Sequence, residues 1–211
     1  MLKTYVGRPE ADWARRFAMT ELGHGLSEAE HYEDALSVHA AELYTLRRVG
    51  APEEELLVSQ GNLANTYQLL GRLEDALRVR KDVYSGVLKL YGEEHYYAFV
   101  EASNYAADLA SLRRYAEAKT LLCRTTPVAR RVLGESHDLT LKMRWAYSRT
   151  LYLDPDATLD DLREAVTTIE DVERTARRVL GGAHPLTSVI EVELRLARAA
   201  LTARETPSGS A

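Results

Sequence analysis

A glycine returns at a fixed interval along this 211-residue chain, and that interval limits what the chain can fold into. Gly50, Gly92 and Gly134 stand 42 residues apart, and Gly181 follows after 47. The five extra residues are Asp154–Thr158. The text around the later glycines repeats as YGEEHYYAF, LGESHDLTL and LGGAHPLTS. Between them a second phrase returns: LEDAL at Leu73–Leu77, YAEAK at Tyr115–Lys119 and LREAV at Leu162–Val166, with YEDAL at Tyr32–Leu36 upstream. Self-similarity at this period marks stacked supersecondary units, none of which can cover its own apolar face alone.

Gly61–Phe99 is the clearest copy. Leu63, Tyr67 and Leu70 share one face at helical spacing. Gly71 ends that helix, since glycine takes the left-handed conformation without a steric cost. A second helix follows from Arg72, with Leu73, Ala76, Leu77, Val79, Val83, Val87 and Leu90 inward, and closes at Gly92. Ala64 and Ala76 are small where two helices must approach closely.

The pattern Leu63-Ala64-x-x-Tyr67, then Gly71, then Leu73-x-x-Ala76, resembles the tetratricopeptide repeat. The 42-residue step with a histidine shortly after the closing glycine is similar to the kinesin-light-chain type of that repeat. The resemblance covers about Trp13 to Arg204. It implies an all-α fold, a right-handed α-solenoid of stacked antiparallel helix pairs. The pairs fall at about 11–49, 52–91, 94–133 and 138–180, with a capping helix at 185–204. Residues 1–10 read as an irregular lead, and 205–211 as a disordered tail. Whether the array is whole or part of a longer one stays open at this stage.

Pro127 predicts a kink near Cys123–Pro127, because a proline inside a helix removes a backbone bond and crowds the preceding turn. Thr158, three residues before Asp161, reads as a near capping box for the last paired helix. Gly23 and Gly25 weaken the first helix, which must lean on its neighbours.

Composition excludes several classes of function. A net charge of −5 and a pI near 5.7 lack the basic footprint of a general nucleic-acid or membrane-surface binder. No apolar run reaches the length of a membrane span, and the N-terminus has no signal-peptide core, so a cytoplasmic location is expected. The single cysteine, Cys123, rules out an internal disulfide and reads as a buried side chain. Nucleotide-binding glycine loops, HExxH and GxSxG are missing, so neither an enzyme nor a cofactor is expected. His95, His137 and His184 fall one per repeat and should not converge on a metal. They read instead as groups satisfying backbone where one helix ends and the next begins.

A surface remains. In stacked helix pairs the first helix of each pair lines the inner side. That strip holds Val58, Asn62, Asn65 and Leu69 in the second repeat, and Ser103 and Asn104 with Val100, Ala107 and Ser111 in the third. In the fourth it is Lys142, Trp145, Arg149 and Tyr152. Asparagine amides both donate and accept, and so suit an extended peptide backbone. Lys142 and Arg149 suit acidic groups, with Trp145 or Tyr152 for an apolar side chain. Trp145 has a competing reading, as core.

Tetratricopeptide domains that grip an acidic C-terminus use a Lys-Asn, Asn, Lys-Arg set. Here Asn65, Asn104 and Lys142 match it, while Gly61 and Ala146 depart from it. The resemblance therefore implies a looser acidic-peptide groove, and, through kinesin light chain, short acidic or aromatic-acidic peptide partners. The leading expectation is an adaptor binding such a peptide. The alternative is a scaffold repeat that self-associates weakly or docks within a larger assembly.

Overall fold

The computed structural model describes residues 12–206. The expected irregular lead over residues 1–10, and the tail from residue 207 onward, lie outside the described residues. Within them there is no strand, and nine helices follow one another. The chain divides into two units, Met1–Gly92 and Glu93–Ala211.

The first unit holds α1 (Trp13–Glu28), α2 (Tyr32–Arg48), α3 (Glu53–Leu69) and α4 (Leu73–Tyr91). Each helix packs on the next, and α1 also touches α3. Ala64 and Ala76 are fully buried, which is the close approach their size permits. The inward face of α4 is not purely apolar. Arg80 is only 1% exposed and donates to the Asn65 side-chain carbonyl, while Leu90, expected inward, is exposed. The guanidinium tolerates burial because its stem is apolar and its head is hydrogen-bonded.

The second unit holds α5 (Tyr96–Ser111), α6 (Tyr115–Leu133), α7 (Asp138–Tyr152), α8 (Leu159–Leu180) and α9 (Pro185–Glu205). Sequential neighbours pack, and α5 lies against α7 as α7 lies against α9. Leu141, Leu151, Ile169, Val172 and Ile190 form the centre of the core shared by α7, α8 and α9. Helix α6 runs as one element through Pro127, which lacks only the N–H that would bond the Cys123 carbonyl. Cys123 itself is exposed rather than buried, because it lines an open cavity beside α6 with Thr126, Arg144, Tyr147 and Glu164.

Two main kinds of turn join the helices. Inside three of the pairs, one left-handed residue makes the bend: Glu30 (φ 62°), Gly71 (φ 71°) and Arg113 (φ 59°). In each case the next residue's N–H (His31, Arg72 or Arg114) donates at 2.9 Å to the carbonyl five residues back, closing the helix. Inside the α7–α8 pair the turn is longer. There the Asp154 side chain accepts from the Asp156 N–H at 3.0 Å, and Thr158 and Asp161 complete a reciprocal capping box.

At the last three junctions between pairs the turn has a positive-φ glycine (Gly92, Gly134 or Gly181), followed by a histidine at the start of the next helix. At the first junction Gly50 (φ 66°) bends the chain as inside the pairs, with the Ala51 N–H donating to the Leu46 carbonyl at 3.0 Å. The Nδ1 atoms of His95, His137 and His184 accept from the N–H groups of Tyr97, Leu139 and Leu186 at 3.3, 3.2 and 3.2 Å. Each histidine thus satisfies a donor that the helix start leaves unpaired.

Candidate peptide-binding faces

In the second unit α5 and α7 are the first helices of their pairs, and α9, followed by no further described helix, lies against α7 as α7 lies against α5. Ser103 and Asn104 are half-buried on α5, with Ala107 and Ser111 exposed along it. On α7, Lys142 is exposed and donates to Asp138, one turn back, at 3.2 Å. Trp145 is half-buried and rests on the core around Leu141 and Ile190, so it belongs partly to both of its readings. Its indole nitrogen has no hydrogen-bond partner. The Arg149 guanidinium lies over the Trp145 ring, 5.3 Å from its centroid, a cation–π arrangement.

Tyr152 follows Arg149 on the same face but is only 8% exposed. Its hydroxyl donates to Glu193 of α9, and the Arg149 Nε lies 3.4 Å from the same carboxylate. Burial pushes the Tyr152 hydroxyl well above its ordinary pKa, and the Glu193 hydrogen bond adds to this. Tyr152 therefore anchors Glu193 and offers no apolar surface of its own. The spacing within α7 could place four residues on one face. It could not reveal Glu193, which α9 brings in from 41 residues beyond Tyr152.

In the first unit the stripe on α3 steps through Val58, Asn62, Asn65 and Leu69. Val58 and Leu69 are exposed. Asn62 is half-buried, and its backbone carbonyl accepts from the Thr66 hydroxyl at 3.0 Å. Asn65 is exposed and holds the buried Arg80 through its side-chain oxygen. One lone pair of that oxygen is thus already engaged.

Beside this stripe lies a feature that sequence reading missed. Trp13 and Phe17 of α1 are both exposed, with ring centroids 6.1 Å apart. With Val58 they wall a cavity of about 380 Å³ between α1 and α3 that reaches down to Glu42 and Ser59. Repeat register could have found them. Glu30 and Gly71 hold equivalent turn positions, and the same offset carried back from Val58 lands on Phe17.

A tetratricopeptide-repeat family profile matches residues 56–97, the span of α3, α4 and the start of α5. A structure of a kinesin-light-chain protein of Podosopora anserina, with nearly identical TPR-like repeats, superposes at a TM-score of 0.76 and 20% identity. That match covers 92% of this chain and 90% of the other. The fold is that of a kinesin-light-chain-like tetratricopeptide-repeat protein. A point variant of the Podosopora protein gives the same TM-score over 90% of this chain and 88% of its own. BtubC (BKLC) from P. vanneervenii matches at a TM-score of 0.65 and 16% identity, over 100% of this chain and 92% of its own. No curated protein matches the sequence at a significant level.

A tetratricopeptide-repeat architecture of this kind is a protein-interaction or scaffold module. Among the described residues no cluster of three metal-ligating side chains occurs, and the three interhelical histidines each serve their own helix start. No described helix is long and apolar enough to cross a membrane.

Proposed function

We propose that the chain is an adaptor that lays an extended, acidic peptide along the inner faces of its first-of-pair helices, with α5 and α7 as the main contact. The observation that carries this reading is the grouping on α7. Lys142 and the Arg149–Trp145 stack stand on one face, offering two cations and an aromatic surface together. Both cations already have carboxylate partners, Asp138 and Glu193. The Lys142–Asp138 pair is exposed and such pairs are worth only ~0–1 kcal/mol, so a peptide carboxylate can exchange with it, while Arg149 stays beside the half-buried Glu193. Ser103 and Asn104 supply groups that both donate and accept for the peptide backbone, and Asn62, Asn65 and Leu69 offer a comparable strip in the first unit.

The chain has two tryptophans, so a Trp13→Phe background leaves Trp145 as the sole indole reporter. Titration with acidic peptides should change its emission, the response should weaken with added salt, and Lys142→Glu should raise the Kd at least tenfold. Unchanged binding in Lys142→Glu refutes the model.

A second reading, self-association, is favoured by α9. Val189, Val192 and Leu196 form an exposed apolar stripe at three-to-four spacing. A second copy packed on this stripe would cover the three side chains of each α9 against those of the other. Light scattering across a concentration series tests this. A mass that rises with concentration and is held at monomer by Leu196→Glu supports it, and a monomer throughout removes it.

A further inference from the structure

The cavity on the first unit is built for charge of one sign. Its floor carries the Glu42 carboxylate, 5% exposed, and the Ser59 hydroxyl, 1% exposed. The Thr20 hydroxyl donates to one oxygen of Glu42, and the His39 Nδ1 lies 3.5 Å from the other. A carboxylate has about four acceptor sites, so Glu42 keeps capacity toward the cavity. The Ser59 hydroxyl has no hydrogen-bond partner at all. A buried polar group left in this state is costly and marks a place where a further donor or acceptor would be welcome.

The rim adds Glu54 and Glu55. Among the described residues of the lining the one cation is Arg16, which is tied to Glu55 at 3.0 Å. Three carboxylates therefore face one guanidinium. The walls are made by Trp13 and Phe17 with the apolar side chain of Val58.

We propose that this cavity receives the arginine or lysine side chain of a partner peptide. The methylene stem packs on Val58 and the aromatic rings, the cationic head stands against those rings, and its N–H groups reach Glu42 and Ser59. An acidic side chain meets the wrong sign of charge. An uncharged apolar one fills the walls but leaves the two floor groups unmatched. The site lies wholly in the first unit, on α1, α2 and α3. It thus stands or falls separately from the acidic-peptide reading of α5 and α7.

The test titrates the full chain with N-acetyl-arginine N-methylamide, followed by NMR at the Trp13 indole and the α1 and α3 amides. N-acetyl-citrulline N-methylamide, nearly the same in shape but uncharged, is the control, and Trp145→Phe removes the second indole signal. A saturable shift is expected with the arginine probe, and at least tenfold weaker binding with citrulline. Glu42→Gln should weaken the arginine probe at least tenfold. Because Glu42 is buried, the rim variant Glu54→Gln and the wall variant Trp13→Ala are read alongside it, each checked for unchanged helix content, and each should weaken binding several-fold.

Equal response to arginine and citrulline, or no saturable response to either, overturns the proposal. So does a response seen only in a chain starting at Asp12, which would assign the cavity to the chain's own first eleven residues, where Lys3 and Arg8 lie.

Discussion

Replacing Gly23 and Gly25 by alanine, one at a time, should move stability in opposite directions, although both lie in α1. At Gly25 an added Cβ meets nothing within 4 Å. Only helix propensity then acts, and it favours alanine by ~0.8–1 kcal/mol. At Gly23 the same atom would stand 2.3, 2.6 and 2.8 Å from three atoms of the His39 ring. Non-bonded carbons rest at roughly 3.5–4.0 Å, so the ring must retreat by more than ~1 Å. It has little room to do so, since His39 is 1% exposed, with Glu42 beside it and the His24 ring at 5.6 Å. Overpacking a closed site costs ~1–3 kcal/mol, and setting the propensity gain against it leaves a net loss of up to ~2 kcal/mol.

The two variants should thus differ by the overpacking cost, ~1–3 kcal/mol, or ~2–12 °C in midpoint for a chain of this size. Urea and thermal unfolding followed by far-UV circular dichroism measure this, read on the first unit's transition if the two units melt separately. In a His39→Ala background the obstacle is gone, and Gly23→Ala should become stabilising. A Gly23→Ala chain as stable as its parent, or a penalty that persists without the His39 ring, would refute the reasoning.

Two further substitutions test the turns. Arg113 is exposed and held at φ 59°, a conformation that costs a side-chain-bearing residue ~1–2 kcal/mol, so Arg113→Gly should stabilise the second unit by ~0.5–1 kcal/mol after the entropy of the freer unfolded glycine is subtracted. An unfolding midpoint that falls would show that Arg113 does more than turn the chain. Lys119 and Thr158 hold the Asp161 carboxyl at about 2, below its ordinary value of 3.8. A depressed carboxylate contributes stability above its unfolded pKa and loses it as the folded group protonates. The Asp161 contribution should therefore be complete above pH 3.8 and fade toward pH 2, and Asp161→Asn should flatten that part of the acid limb. An unchanged acid limb in Asp161→Asn would count against the capping box as a source of stability.

The architecture was legible because helices buried on one face leave a three-to-four rhythm in the sequence, and because the junctions demand glycine and favour histidine. The pair turns were less so. Gly71 announces its turn, but Glu30 and Arg113 adopt the same left-handed conformation with nothing in their chemistry to mark it. Depth of burial was the weaker inference. Spacing put Tyr152 beside Arg149, yet α9 supplies the carboxylate that draws the tyrosine inward. Arg80 is not among the residues expected inward on α4, yet it is buried and its head is held by Asn65. A single helix reports which side of it is inward. How far inward depends on residues that arrive from the next repeat.

The joints at Gly134 and Gly181 have nearly the same backbone, φ 96° and ψ 159° in one and φ 90° and ψ 157° in the other, and each is followed by a histidine that secures the incoming helix. Everything that defines these joints lies within a handful of consecutive residues. A segment cut from one joint to the next would carry its own splice geometry at both ends. Gene duplication could thus lengthen such a protein by whole segments without redesigning the seams. Stray insertions are accommodated at the other bend, where Asp154–Thr158 already sit.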